Sequence, residues 1–346
     1  MNPFDISFGK KPTESVARHL QFQTVVDTFS ADIISNQIFM LTGIRGSGKT
    51  VLMNQIANYL EEDKNWIVVR LNPEMNLLQS LGAKLADNTF CSGIFRKSKI
   101  SVSIFGISME IPRPADSAEM ELTIEKMLKA IKKSGKRLLV TIDEVTNNPQ
   151  IRVFASSFQI FLGEELPVFL LMTGLYENIE DLRNVKNLTF LYRAPRVEMS
   201  PLNAAMITDR YMNVFGIDES KAKHMADLTK GYPFAFQALG FSFWNHKDSE
   251  RTAMVEYKQL LEDFVYDKIW SGLSPKDRRI MNGIAHCPDR STGSIVEYLG
   301  LKKDEINPYR NRLIRKGIIN GDEYGLLKMT LPLFDEFVIS RYSENN

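Results

Sequence analysis

The chain has 346 residues and a formal net charge of +1, with 44% hydrophobic and 25% charged residues. This composition is ordinary for a globular protein, and the length suffices for two or three domains. A net charge so close to zero excludes a global attraction to nucleic acid or to an acidic membrane. Any such contact would need a local patch.

Features of targeting and redox chemistry are absent from the sequence. The two cysteines, Cys91 and Cys287, form neither a disulfide framework nor a metal-binding spacing, which fits a reducing compartment. The N-terminus lacks the basic and apolar regions of a signal peptide. The longest apolar runs, such as residues 166–172, are too short to cross a bilayer. We therefore expect a cytoplasmic protein without a membrane partner.

Short apolar strands alternate with helices up to residue 200. The apolar spacing predicts strands at residues 37–42, 66–71, 137–142, 168–173 and 196–199. It predicts helices at residues 14–35, 49–60, 75–86, 117–134 and 151–164. This alternation indicates an α/β fold whose parallel sheet is covered by helices on both faces.

Residues 99–111 differ from their surroundings. Apolar residues alternate with polar ones on both sides of Gly106, which predicts a β-hairpin inserted before the strand at residues 137–142. Two expectations remain open for this insert. It either folds onto its own domain or protrudes to contact a partner or a neighbouring subunit.

The chain beyond residue 200 divides into two parts. The pattern is helical to about residue 271, and three helices near residues 275–286, 294–299 and 303–316 precede a turn between two short strands. These predict an α/β domain at residues 1–200, a helical domain that would act as a lid at 201–271 and a winged helix at 272–346.

The third helix of the predicted winged helix is rich in residues that bind phosphate. These residues are Tyr309, Arg310, Arg312, Arg315 and Lys316. They could meet the phosphates of DNA, as recognition helices do. Acidic residues flank the same surface, and a fold alone does not fix a function. DNA and a protein therefore both remain candidate partners.

The segment at residues 43–50 reads Gly-Ile-Arg-Gly-Ser-Gly-Lys-Thr and matches the phosphate-binding loop G-x-x-x-x-G-K-[ST]. Glycines allow several amides to converge on phosphate oxygens, and the next helix directs its positive end at the same anion. Lys49 would reach the β- and γ-phosphates, and the Thr50 hydroxyl would bind magnesium. A chance glycine-rich turn would not explain the buried strand before it and the amphipathic helix after it. The nucleotide-binding residues predicted here are Gly43, Arg45, Gly46, Ser47, Gly48, Lys49, Thr50 and Val51.

Two carboxylates stand at the end of the strand at residues 137–142. In open parallel sheets, ligands bind at the carboxyl ends of the strands. Asp143 would hold magnesium, and Glu144 would orient and polarise the attacking water. By themselves these residues could simply begin a solvated loop. Together with the phosphate loop they predict a site for ATP hydrolysis.

On residues 43–50, Asp143 and Glu144, the chain resembles the archaeal-type ATPases of the AAA+/STAND branch of P-loop proteins. The branch is further indicated by residues 170–174, by the arginines near residue 195, by residues 231–233 and by the winged helix. The resemblance spans nearly the whole chain. It implies ATP or ADP and magnesium as ligands, and a sheet order of 5-1-4-3-2 with strands numbered along the chain.

The resemblance also implies roles for residues outside the two motifs. Thr173 would be a polar sensor of the γ-phosphate or the water, although it could instead cap the strand before Gly174. Tyr232 and Pro233 would lie near the adenine, although a glycine and a proline also mark an ordinary break between helices.

The resemblance finally implies a role for two arginines. Arg193 and Arg196 would be candidates for a finger that acts on a neighbouring subunit, because the planar guanidinium matches phosphate oxygens. They could equally be surface arginines. Two departures limit the comparison. The lid has no clear second sensor arginine, and Ala17 replaces the glycine that the family places before Arg18.

Three functions are consistent with these features. In the first, ATP closes the lid and winged helix onto the ATPase core, with or without homo-oligomerisation, and slow or partner-stimulated hydrolysis resets this switch. In the second, the protein is a DNA-binding regulator or a mobile-element accessory protein whose winged helix docks under the control of ATP. In the third, it is a scaffold that holds nucleotide without hydrolysing it, against which Glu144 argues.

Overall fold

The computed structural model describes residues 2–7, 12–105 and 116–344. By its internal contacts the chain divides into two units. The sheet unit consists of residues 19–42 and 49–198. The helical unit consists of residues 1–18, 43–48 and 199–346. Each unit has a hydrophobic core of its own.

The sheet unit is built on five parallel strands in the order β2-β3-β4-β1-β5. The strands are β1 Ile38–Thr42, β2 Trp66–Leu71, β3 Arg137–Ile142, β4 Val168–Gly174 and β5 Arg196–Glu198. This is the predicted order 5-1-4-3-2 seen from the other edge, so the predicted fold class is confirmed.

Helices cover the sheet. They are α1 His19–Ser30, α2 Lys49–Glu62, α3 Leu77–Asp87, α4 Thr89–Lys97, α5 Ser117–Lys133, α6 Pro149–Gly163 and α7 Tyr176–Arg183. Successive residues of a strand face opposite sides of a sheet. Phe39 packs its ring against Phe29 of α1, while the next residue, Met40, is fully buried in the core that contains α3 to α6. Both faces of β1 are therefore covered, as its unbroken apolar sequence requires.

One helix of the sheet unit was predicted with the wrong bounds, and another was not predicted. The first was predicted at residues 14–35 but spans His19–Ser30, and Leu20 and Ile33 are 77% and 90% exposed. Apolar spacing alone had assigned both residues to a buried face. Helix α4 was not predicted, because only Cys91 and Phe95 of its residues are buried and the apolar signal is short.

The predicted hairpin is wrong in the part that the structure describes. Ser103–Phe105 form a single 3-10 turn, and no strand is present in residues 99–105. Ile100, Val102 and Ile104 are partly buried against the core of the sheet unit, which accounts for their alternation with serines without any strand pairing. The second arm, residues 107–111, lies outside the described residues.

The helical unit contains the remaining elements. Its helices are α8 Ala204–Phe215, α9 Glu219–Thr229, α10 Pro233–Asn245, α11 Glu250–Leu261, α12 Asp267–Ser271, α13 Pro275–His286, α14 Thr292–Leu299, α15 Lys303–Arg315 and α16 Phe334–Glu344. Strands β6 Ile319–Asn320 and β7 Lys328–Met329 form an antiparallel pair. The sequence did not predict α16. The division of this unit into a lid at residues 201–271 and a winged helix at 272–346 stays a prediction.

Within the helical unit, Phe4 packs the N-terminal segment against the helices. This ring is 2% exposed and stacks on Phe215 with a centroid distance of 5.6 Å. A side chain at Gly240 of α10 would collide with the Phe4 ring, so the glycine provides the space that the ring occupies. Across the described ranges, no helix combines the length and the apolar character that a membrane crossing requires.

Candidate functional site

The carboxyl ends of β3 and β4 bring polar residues together in the sheet unit. These strands are parallel neighbours, with Ile142 in register with Met172. The residues that follow this pair, Asp143 and Thr173, are therefore adjacent at the edge of the sheet where ligands bind in folds of this type.

Asp143 accepts hydrogen bonds from two threonine hydroxyls. Thr50 Oγ1, in the first turn of α2, donates to Asp143 Oδ2 at 2.9 Å. Thr173 Oγ1 donates to Asp143 Oδ1. Thr173 is fully buried, while Asp143 is partly exposed. The carboxylate is therefore held in one orientation from two sides, and one of its oxygens lies beside the Thr50 hydroxyl.

Glu144 stands next to this group in an unusual backbone conformation. Its φ is 52°, in the left-handed region that costs a residue with a β-carbon about 1–2 kcal/mol. The Glu144 amide donates to Thr173 Oγ1 at 3.0 Å and to Asp143 Oδ1 at 3.1 Å. The side chain is exposed. A strained residue at the tip of a strand is typical of functional sites.

The first six residues of the phosphate-loop motif lie in the helical unit. Gly46 and Gly48 have φ values of 73° and 85°, which glycine adopts most easily. A β-carbon at Gly46 would lie 2.1 Å from the hydroxyl oxygen of Tyr232. This hydroxyl donates to the carbonyl of Arg45 at 2.6 Å, and Arg18 donates to the carbonyl of Ser47 at 3.3 Å. The glycine pattern predicted from the sequence is therefore required by geometry.

Two side chains of the motif are buried. Ser47 is 2% exposed, and among the described residues its Oγ has no hydrogen-bond partner. Lys49, the first residue of α2 and part of the sheet unit, is 8% exposed. A buried hydroxyl without a partner needs an explanation, and a bound anion would supply one.

The donor set at Asp143 fits magnesium. Mg²⁺ prefers oxygen ligands, and it usually takes one or two of them from the protein and the others from water and substrate phosphates. The Thr50 hydroxyl and the Asp143 carboxylate supply such oxygens. Within the described residues no group of three or more His, Cys, Asp or Glu side chains could hold a metal by itself. The arrangement therefore suits an ion that is shared with a nucleotide.

The structure separates the two candidate finger arginines by their contacts. Arg196 forms an ion pair with Glu180 at 3.2 Å and remains 40% exposed. Arg193 is exposed, and no ion pair involves it within the described part of the chain. Both arginines are exposed, and the finger role stays a prediction for both residues.

Arginines of α15 are partly engaged within the chain. Arg312 donates from Nε to Asp277 Oδ1 at 2.9 Å, and Asp277 is only 2% exposed. Arg310 donates to the carbonyl of Gly321 at 3.2 Å. Arg315 is exposed. The guanidinium of Arg312 therefore neutralises a buried carboxylate, and contact of these arginines with DNA stays a prediction.

Two residues at the phosphate loop were not predicted in their observed roles. Tyr232 was expected near an adenine ring, yet its hydroxyl binds the backbone of the loop. Arg18 was noted as the remnant of a family motif, and it also binds a loop carbonyl. Gly46, next to Arg45, was the one sequence signal for the Tyr232 contact, because a glycine often marks a place where another group comes close to the backbone.

Comparisons with known proteins give a family match for two parts of the chain. Residues 30–187 match the family described as the ATPase domain predominantly from Archaea, and residues 263–338 match a domain of unknown function. No protein of curated function matches the chain in sequence.

Solved structures resemble the chain over nearly its full length. The Walker-type ATPase PABY2304 of Pyrococcus abyssi is 17% identical, with a TM-score of 0.66 over 94% of this chain and 96% of that one. The ORC2 protein of Aeropyrum pernix in its ADPNP–ADP complexes is 12% identical, with a TM-score of 0.60 over 98% of each chain. At these identities the similarity establishes the fold.

The sheet order and the phosphate loop define the class of the protein, which is a P-loop nucleotide-binding protein. The family match adds that residues 30–187 are similar to ATPase domains found predominantly in Archaea. The resemblance predicted from residues 43–50, Asp143 and Glu144 is thereby confirmed.

Proposed function

We propose that the protein is an ATP-binding and ATP-hydrolysing switch of the AAA+/STAND type. The observation that carries this proposal is the pair of hydrogen bonds by which Thr50 and Thr173 hold the Asp143 carboxylate. Such an arrangement orients a carboxylate and a hydroxyl toward the same point, as a magnesium site for a nucleotide requires.

Nucleotide binding would rest on the phosphate-loop motif. The backbone amides of the loop and the ammonium of Lys49 would bind the phosphates. The residues proposed to contact the nucleotide are Gly43, Arg45, Gly46, Ser47, Gly48, Lys49, Thr50, Val51, Tyr232 and Pro233. Magnesium, held by Thr50 and Asp143, would neutralise phosphate charge during transfer.

Hydrolysis would depend on Glu144. Its carboxylate, exposed beyond the end of β3, would accept a hydrogen bond from the attacking water and orient it toward the γ-phosphate. Thr173 would act mainly by positioning, since its hydroxyl donates to Asp143 and accepts from the Glu144 amide. The products are ADP and phosphate. Positioning and charge neutralisation account for most of phosphoryl-transfer catalysis, so this small set suffices.

An adenine nucleotide is the favoured ligand. The Aeropyrum pernix protein of similar fold was solved in ADPNP–ADP complexes. This likeness supports ATP and ADP as the ligands proposed for the present chain. A trans-acting finger supplied by Arg193 or Arg196 in a homo-oligomer remains part of the proposal, because both arginines are exposed.

The DNA-binding alternative receives less support. Of the three arginines that would carry it, Arg312 is tied to Asp277 and Arg310 to a carbonyl of the turn between β6 and β7. A protein partner for the C-terminal part of the chain therefore remains the preferred form of the proposal.

A comparison of two variants tests the proposed function. Lys49→Ala should weaken ATP binding at least about tenfold, because a buried phosphate ligand is lost. Glu144→Gln should bind ATP like the wild type but release phosphate about a hundredfold more slowly. Glu165→Gln is the matched control, since Glu165 is exposed and has the same φ of 52°. Wild-type phosphate release by Glu144→Gln would contradict the proposed role of this residue.

A further inference from the structure

The turn between α9 and α10, residues 229–233, contains two successive residues in left-handed conformations. Lys230 has a φ of 48° and Gly231 a φ of 70°. The turn is held by its own hydrogen bonds, since the Gly231 amide donates to Thr229 Oγ1 at 3.1 Å and the Gly231 carbonyl accepts from Leu202 at 2.7 Å. A β-carbon at Gly231 would lie 2.7 Å from the carbonyl of Leu202. The turn is therefore a fixed element of the helical unit.

On one side the turn contacts the phosphate loop. Tyr232 is 4% exposed and donates from its hydroxyl to the carbonyl of Arg45 at 2.6 Å. Its ring fills the space beside Gly46 that a β-carbon would otherwise occupy. Burial raises the pKa of the Tyr232 hydroxyl, which therefore stays protonated and remains a donor. The conformation of the phosphate loop thus leaves room for the Tyr232 ring and is held by its hydroxyl.

On the other side the turn contacts the C-terminal part of the unit. Lys230 donates from its ammonium to the carbonyl of Leu331 at 3.2 Å, just beyond β7. The carbonyl of Met329, in β7, lies 3.5 Å from the same nitrogen. Helix ends in the left-handed conformation normally favour glycine, because a β-carbon there costs about 1 kcal/mol or more. The ammonium contacts give a physical reason for a lysine at this position.

We propose that residues 229–233 couple the phosphate loop to strand β7 and to Leu331 just beyond it. In addition to its proposed contact with the nucleotide, Tyr232 holds the loop in its nucleotide-binding conformation, and Lys230 carries the same constraint to β7 and Leu331. The inference rests on the proposed binding of ATP. Only one residue separates the two side chains, so a shift of the turn disturbs both contacts at once.

The proposed coupling means that nucleotide binding and the C-terminal contacts of Lys230 stabilise each other. A nucleotide favours the loop conformation that it binds, and the Tyr232 hydrogen bond belongs to that conformation. Stabilising the turn then stabilises the Lys230 contacts with Leu331 and Met329. By reciprocity, loosening the C-terminal contacts weakens nucleotide binding by the same factor as the nucleotide tightens them.

The first test removes the hydroxyl of Tyr232 alone. Tyr232→Phe should raise the dissociation constant for ADP about threefold to tenfold in calorimetry, as expected for the loss of one buried hydrogen bond. Tyr211→Phe is the control, because Tyr211 is fully buried in the same core and donates to a carbonyl at 2.8 Å without touching the loop. Unchanged affinity in Tyr232→Phe, or an equal loss in Tyr211→Phe, would overturn the proposal.

The second test reads the C-terminal end of the coupling. Hydrogen exchange of residues 326–337 is measured with and without ADP for the wild type, Tyr232→Phe, Lys230→Met and Tyr211→Phe. ADP should slow this exchange in the wild type and in Tyr211→Phe, and the difference should be lost in the other two variants. A full ADP effect in Lys230→Met would refute the coupling. Failure of the wild type to bind any adenine nucleotide would instead refute the proposed function.

Discussion

The Thr173 hydroxyl donates a hydrogen bond to the carboxylate of Asp143 and accepts one from the backbone amide of Glu144. One fully buried side chain thus fixes both acidic residues at the end of β3. This is more than the capping of a strand before Gly174, which was the simpler interpretation of the sequence. The Thr173 hydroxyl is therefore the one side-chain group that contacts both residues of the acidic pair among the described hydrogen bonds.

Replacement of Thr173 by valine should therefore impair turnover. Valine has nearly the same shape, so the fold should survive, but Asp143 and Glu144 lose their common anchor. We expect kcat for ATP hydrolysis to fall about tenfold to a hundredfold, because small displacements of catalytic groups have effects of this size. The dissociation constant for ATP should change little, and Thr173→Ser should retain activity. Steady-state kinetics with a binding titration checks this, and a Thr173→Val protein with wild-type kcat would contradict it.

Because the backbone at Glu144 is strained, replacing this residue by glycine should raise stability and lower activity. Glycine adopts a φ of 52° without a steric cost. Glu144→Gly should therefore raise the free energy of unfolding by up to about 1 kcal/mol while abolishing hydrolysis. Glu165→Gly, at the same φ, should give a similar gain with normal hydrolysis. Urea denaturation and phosphate release measure the two quantities. An active Glu144→Gly protein would remove the functional explanation of the strain.

The ion pair of Arg312 with Asp277 predicts a loss of stability in the C-terminal part of the chain. Asp277 is 2% exposed, and its second oxygen accepts from the Ser274 amide at 3.1 Å. Arg312→Ala leaves this buried carboxylate without its cation, which should cost about 2–3 kcal/mol of unfolding free energy.

The matched control is Arg315→Ala. Arg315 lies on the same helix but is exposed, so its removal should change the unfolding free energy by less than about 0.5 kcal/mol. Both values follow from urea denaturation. An Arg312→Ala protein that is as stable as the wild type, yet has lost affinity for DNA, would restore the DNA-binding interpretation.

The strands were predictable because their signal is local. Residues 138–142 are apolar except for Thr141 and are followed by two carboxylates, and β3 spans Arg137–Ile142. A strand buried on both faces needs such a run, whatever its neighbours are. The order of the strands is a different matter, since it came from the family resemblance and not from periodicity.

Errors arose where apolar residues do not lie in a core. Ile33 extended the first predicted helix, yet it is 90% exposed and lies outside α1. The alternation of Ile100, Val102 and Ile104 suggested a strand, yet these residues are partly buried without strand pairing. Periodicity records which residues are apolar, but it does not record what covers them.

In the site, too, local sequence motifs were predictable and contacts made by tertiary packing were not. Thr50 and Asp143 were predicted as partners because each belongs to a short motif with a defined chemical purpose. The bond between Tyr232 and the Arg45 carbonyl joins residues 187 positions apart, and a tyrosine carries no motif for binding a backbone carbonyl. Contacts of this kind follow from tertiary packing, so the sequence alone could not assign them.

The central claim is that Thr50 and Asp143 form a magnesium site for a bound nucleotide. The most direct test is the dissociation constant of ATP for the wild type and Asp143→Asn, each measured in Mg²⁺ and in EDTA. We predict that Mg²⁺ tightens ATP binding to the wild type about tenfold or more, and that Asp143→Asn shows almost no such effect. Equal responses to Mg²⁺ in the two proteins, or no response in the wild type, would contradict the account.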